Sequence, residues 1–182
     1  MPAGRCIGLL EGHTEYVASA EWSLDRSSLL SGSEDLTVRL WNFESRQCLR
    51  VFEGHESPVY CVTWSPDQSR LLSSSEDGSV RVWDVETAQC LRVLEGHTSY
   101  VVTVAWAPDG RHALTGSEDA TVRLWDVETR QCLKVFEGHN AEIRCVHWSS
   151  DQQHAFSGDS KGGIRRWALS DAANLWSLAA NV

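Results

Sequence analysis

One spacing governs this chain: a Gly-His pair recurs every 42 residues, at Gly12-His13, Gly54-His55, Gly96-His97 and Gly138-His139. Two tryptophan columns keep the same period. Trp22, Trp64, Trp106 and Trp148 form one, and Trp41, Trp83, Trp125 and Trp167 the other, so eight of the nine tryptophans occupy two positions of a repeat. A fixed period of this length means that a single supersecondary unit is stacked several times, because one unit alone cannot bury its apolar face.

Within a unit the segments are short, β-branched and separated by turn residues, which predicts strands. In the second unit, Val59 to Trp64 alternates and Ser65-Pro66-Asp67-Gln68 supplies a turn with proline's preset φ. Arg70 to Ser74 follows as a second strand, then the turn Glu76-Asp77-Gly78, a third strand at Val80 to Asp84 and a fourth at Cys90 to Leu94. No segment keeps a 3.6-residue period, which excludes a helical solenoid. Four strands in each repeat predict an all-β propeller of four-stranded antiparallel blades, four to the chain. Residues 1–170 make up this array, and 171–182 form a tail that closes a blade as a strand or docks as a short helix. Val80 to Glu86 and Val122 to Glu128 are near-identical, which suggests recent duplication or design.

Gly-His, the Ser-Pro-Asp turn, Ser-Glu-Asp and Trp-Asp resemble the WD40 repeat over about residues 5 to 167. The resemblance implies a hydrogen-bonded chain in each blade, through His13, Ser31, Asp35 and Trp41 in the first. His55, Ser73, Asp77 and Trp83 match in the second, and His97, Thr115, Asp119 and Trp125 in the third. The chemistry agrees, since an indole N–H only donates, a carboxylate only accepts, and a hydroxyl and an imidazole pass the chain between them. The fourth unit keeps His139, Ser157 and Trp167 but has Lys161 at the aspartate position and Ala168 after the tryptophan. Its network is expected to end open and its blade to be the least stable.

Closure is the next question. Arg5 to Leu10 aligns with the fourth strand of a unit, and Asn174 to Ala180 could supply the same strand, so the two segments compete. Propellers resembling this one close with seven or eight blades, which favours a homodimer in which Arg5 to Leu10 of each chain completes the other's fourth blade. A monomeric four-blade ring, or a fragment of a longer protein, is the alternative.

The formal net charge of −9, from 16 basic and 25 acidic residues, gives no general reason to approach nucleic acid or anionic lipid. A basic partner fits better. No apolar run reaches the ~20 residues of a membrane span, and Met1 to Arg5 lack the features of a signal peptide, so the chain reads as cytosolic. Cys6, Cys48, Cys90 and Cys132 hold one position of the repeat. With Cys61 and Cys145 they are expected to be reduced and mostly buried.

Ser, His and Asp in one unit suggest a hydrolase triad, but their repetition in equivalent positions argues for structure, and no nucleophile elbow, phosphate loop or His-Glu-x-x-His helix is present. His147 and His154 lack a ligand spacing for metal. No enzyme and no cofactor is expected.

What remains is the rim around the channel, where proteins of the resembled family bind peptides. The resemblance places Tyr16, Pro58, Tyr100 and Glu142 at the start of the innermost strands, and Ala18, Tyr60, Val102 and Arg144 two residues on. Glu34, Glu76, Glu118 and Ser160 precede the turn aspartates. Tyrosine beside carboxylate suits a Lys- or Arg-bearing peptide. The competing reading makes the glutamates solubilising and the tyrosines packing residues, in a self-assembling half-propeller with no ligand of its own. The column Arg39, Arg81, Arg123 and Arg165 is expected to be structural, with stems on apolar surface and heads in water or on carboxylates.

Overall fold

The computed structural model describes residues 4–6 and 8–169. Among these residues fifteen strands form four antiparallel sheets in chain order. β1 (Val17–Trp22), β2 (Ser28–Ser33), β3 (Val38–Asn42) and β4 (Cys48–Phe52) make the first. β5 (Val59–Trp64), β6 (Arg70–Ser75), β7 (Val80–Asp84) and β8 (Cys90–Leu94) make the second. β9 (Val101–Trp106), β10 (His112–Ser117), β11 (Val122–Asp126) and β12 (Gln131–Phe136) make the third. The fourth holds β13 (Ile143–Trp148), β14 (His154–Asp159) and β15 (Ile164–Ala168).

The fourth blade thus has three described strands where four were expected, and β15 pairs only with β14. Arg5 to Leu10 is likewise not a strand in its described part. It lies beside Phe43, Glu44 and Arg46, with Gly8 against the Arg46 side chain. Arg50, one repeat on from Gly8, sits the same way on the next blade, donating from Nε to the Glu86 carbonyl at 3.0 Å. The described part of the N-terminal segment thus lies against the first blade as the fourth strand β4 lies against the second. Asn174 to Ala180, with Leu175, Trp176 and Leu178, falls outside the described residues.

The innermost strands β1, β5, β9 and β13 pack side by side in sequence, and the core lies in the seams between blades. Glycine of the Gly-His pair serves these seams' neighbourhood by its small size: a Cβ on Gly54, at φ +149°, would meet Arg81 Nη1 and Trp83 Cη2, each at 3.2 Å. The two ends of the array are open. Val59, Val101 and Ile143 are each 0% exposed, while their counterpart Val17 at the leading end is 43% exposed. At the trailing end Ile164 is 81% exposed, against 0% for Val38 and Val122.

One expectation about side chains is corrected, and a second is narrowed. The cysteines are free, but Cys6, Cys90, Cys132 and Cys145 are exposed and Cys48 and Cys61 half-buried. Cys48, Cys90 and Cys132 stand on outermost strands, where no further strand covers them, beside the irregularity that offsets the pairing of β3 with β4 and of its equivalents. The arginine heads of the first two blades do not reach for carboxylates: the guanidiniums of Arg39 and Arg81 lie 5.9 and 6.0 Å from the rings of Trp41 and Trp83. Buried Nε atoms without hydrogen-bond partners on Arg39, Arg81 and Arg123 fit that stacked placement.

Candidate functional site

In each of the four blades a hydrogen-bonded chain runs from tryptophan to aspartate. In the second, Trp83 Nε1 donates to Ser73 Oγ at 2.7 Å, Ser73 Oγ meets His55 Nε2 at 2.7 Å, and His55 Nδ1 meets Asp77 Oδ2 at 2.7 Å. Trp41, Ser31, His13 and Asp35 repeat it, as do Trp125, Thr115, His97 and Asp119. Because the indole can only donate and the carboxylate only accept, the serine proton must point to Nε2 and the histidine must carry its proton on Nδ1. The hydroxyl that resembles a triad nucleophile is thus fully engaged and out of reach: Ser73 and Thr115 are 0% exposed. Among the described residues no cluster of three metal-binding side chains occurs.

The fourth network does not end open, which corrects the expectation drawn from Lys161. His139 Nδ1 meets Asp159 Oδ2 at 2.6 Å, its Nε2 meets Ser157 Oγ at 2.7 Å, and Trp167 Nε1 donates to Ser157 at 2.8 Å. Asp159 stands two residues before the usual position and also accepts from the backbone N–H groups of Lys161 and Gly163. The readable signal was Gly163, where the other units have Thr37, Ser79 and Thr121: a Cβ there would collide with Asp159 Oδ2. Asp159→Ala should therefore lower the thermal midpoint of the chain, and Lys161→Ala should leave it unchanged. Equal effects in differential scanning calorimetry would return the role to Lys161.

The residues predicted for a rim are set by two backbone devices. First, the N–H of each turn residue donates to the first residue of the rim pair at 2.9 Å: Glu34 to Tyr16, Glu76 to Pro58, Glu118 to Tyr100 and Ser160 to Glu142. Second, the pairing of each innermost strand with its neighbour skips one residue, and the skipped residues are Ala18, Tyr60, Val102 and Arg144. A bulge leaves its extra residue unpaired and re-aims the side chain. Backbone geometry of this kind has no mark in the residues themselves.

These devices bring part of the predicted set together. Tyr60 donates from its hydroxyl to Glu76 Oε2 at 2.5 Å, and its ring centroid lies 6.3 Å from that of Tyr100. Burial, then the hydrogen bond and charge of Glu76, pushes the Tyr60 phenol up. Tyr100, more exposed, is pushed up chiefly by the charge of Glu76. Arg144 pairs with Glu118 at 3.2 Å and with Glu142. Tyr16 and Glu34, on the first blade, are exposed and make no side-chain contact with this cluster among those described, and Val102 on β9 is half-buried. The arrangement offers two neighbouring tyrosine rings and the Glu76 carboxylate bonded by the Tyr60 hydroxyl, with Glu118 and Glu142 held by Arg144.

The family model of the WD domain, G-beta repeat, matches residues 4–42, 46–84, 88–126 and 130–168. The second, third and fourth matched units run from a fourth strand into the first three strands of the following blade, and the first opens on the N-terminal segment instead. Among curated proteins the chain is 46% identical over 44 residues to Protein Notchless of Drosophila melanogaster, covering 24% of this chain and 9% of that protein. It is 52% identical over 40 residues to Mitochondrial division protein 1 of Pyricularia oryzae, covering 22% of this chain and 6% of that one. The matched stretches thus span less than a tenth of either relative.

Proposed function

The chain belongs to the WD domain, G-beta repeat family, and from that premise we propose that it is a non-enzymatic protein-interaction scaffold whose rim takes a cationic peptide. The observation that carries the peptide class is the cluster of Tyr60, Glu76 and Tyr100: a glutamate side chain held by the Tyr60 hydroxyl beside two neighbouring tyrosine rings complements a guanidinium or ammonium group. Glu34 adds an exposed carboxylate, whereas Glu118 and Glu142 are already paired with Arg144, and the net charge of −9 steers a basic partner toward the chain. Six thiols outside any disulfide fit a reducing, cytosolic setting.

The test is fluorescence anisotropy with a labelled oligo-arginine peptide, against an oligo-glutamate peptide of equal length. Glu76→Gln is expected to weaken binding of the basic peptide about tenfold, the loss of one charge-assisted contact. Indifference of the protein to the sign of the peptide's charge would overturn the reading.

We propose further that two chains close one eight-bladed ring. The exposure of Val17 and Ile164 at the two ends favours this closure, because their counterparts are buried in every internal seam. Light scattering would then give twice the mass of one chain.

A further inference from the structure

Three internal seams repeat one arrangement, and among the described residues the two end faces of the blade array carry its two halves. Each seam sets an aliphatic residue of the third strand against a tryptophan and an aliphatic residue of the next blade. Leu40 meets this role with Trp64 and Val85 in the first seam. Val82 does so with Trp106 and Val127 in the second, and Leu124 with Trp148 and Leu169 in the third. Beside this group a small residue makes room for the incoming strand: a Cβ on Gly32 would lie 2.8 Å from Val59 Cγ1 and 2.9 Å from Val62 Cγ1, and one on Gly116 would lie 2.5 Å from Ile143 Cγ2.

At the trailing end the same positions read differently. Gly158 keeps the hollow, yet a Cβ there would meet only Cys145 of its own blade. The aliphatic position is held by Arg166, which is exposed. At the leading end the receiving pair is Trp22 with Phe43, their rings edge to face at 4.7 Å and each 44% exposed. Arginine thus replaces the aliphatic residue at the one end where the receiving aliphatic residue is replaced by phenylalanine. A guanidinium packs on aromatic faces where an aliphatic residue would pack on an aliphatic one.

We infer that the trailing face of the fourth blade is a docking surface for the leading face of a second copy, with Arg166 seated on the Trp22–Phe43 pair and Val17 entering the hollow at Gly158. This rests on the ring-closure reading and gives it a chemistry. The seam continues an interface made three times within the chain, and its distinct cation–aromatic contact sets the register between chains apart from those within one. Two internal seams also show the accompanying hydrogen bond, from Trp64 Nε1 to the Glu21 carbonyl at 3.3 Å and from Trp148 Nε1 to the Ala105 carbonyl at 3.2 Å. Trp22 would make it to the carbonyl of His147 in the second copy.

Sedimentation equilibrium on the full chain tests the assignment. The wild-type chain is expected to dimerise, and Arg166→Glu to raise the dimer dissociation constant about tenfold or more. Its circular dichroism should not change, because Arg166 is exposed within one chain. The double variant Arg166→Leu with Phe43→Val, which copies the internal seams, should still dimerise. A dimer undiminished by both Arg166→Glu and Trp22→Ala, or lost in the double variant, would overturn the seam while leaving ring closure standing. A wild-type chain that keeps the mass of a single copy at the highest attainable concentration would overturn closure itself, and with it the seam.

Discussion

Trp83→Ala should be among the most damaging single substitutions in the chain, at about 3–5 kcal/mol, which is the usual cost of deleting a large buried aromatic side chain. Trp83 is 1% exposed and belongs to the seam between the first two blades. Its ring stands edge to face with Phe52 at 5.9 Å and with His55 at 6.1 Å, and Arg81 covers it. Removing it therefore opens a cavity between blades and leaves Ser73 without its donor. Against a typical total of about 5–15 kcal/mol, that loss is a large fraction. Trp167 holds the same position in the fourth blade but is only half-buried, so Trp167→Ala should cost visibly less. Urea unfolding followed by circular dichroism compares the two. Equal midpoints would mean that burial in the seam does not set the value of the tryptophan column.

How much of this could be read from residue letters depended on whether a feature repeats. The blades and the hydrogen-bonded chains of the first three follow from the fixed period of the repeat, since a column of Ser or Thr between Trp and His admits few other uses. The columns holding Tyr60 and Arg144 were legible as repeat positions, but the skipped pairing there was not, because a bulge is an offset between two strands and neither strand's sequence records it. Asp159 escaped because alignment asks which residue stands in a column, whereas a carboxylate reaches its histidine from two residues away once Gly163 clears the space. The cysteines escaped for a different reason. Cysteine is usually buried, but an outermost strand has one free edge, and the column happens to lie on it. The two open ends were foreseen as a problem of closure, while the exchange of Leu and Val for Arg166 and Phe43 becomes visible only when the seams are compared contact by contact.

Asp77 carries the second large effect, and it ties stability to pH. Its carboxylate accepts from His55 Nδ1 at 2.7 Å, from Ser79 Oγ at 2.6 Å, and from the backbone N–H groups of Ser79 and Glu56 at 2.9 and 3.2 Å. Asp77→Ala would leave His55, itself 6% exposed, with an unpaired donor at the end of the chain from Trp83, and should cost about 3 kcal/mol. Burial alone would push this carboxyl up, but the hydrogen bonds from His55 and Ser79 outweigh it and hold it well below the usual carboxylate range. Asp119 is held down in the same way by His97 and Thr121, and Asp35, with Thr37 and His13 as donors, is held at about 2. A carboxyl whose value is lower folded than unfolded stabilises the fold only while it is ionised. The contribution is therefore complete at neutral pH, begins to fade near the unfolded value of about 4, and is lost as pH falls toward 2 and below. The wild-type unfolding midpoint should accordingly drop steeply between about pH 5 and pH 2, and Asp77→Ala should show a shallower drop from a lower start, having already lost one of the groups that acid neutralises. An acid slope identical in the two proteins would show that the aspartate bonds at the ends of these chains do not couple protonation to folding.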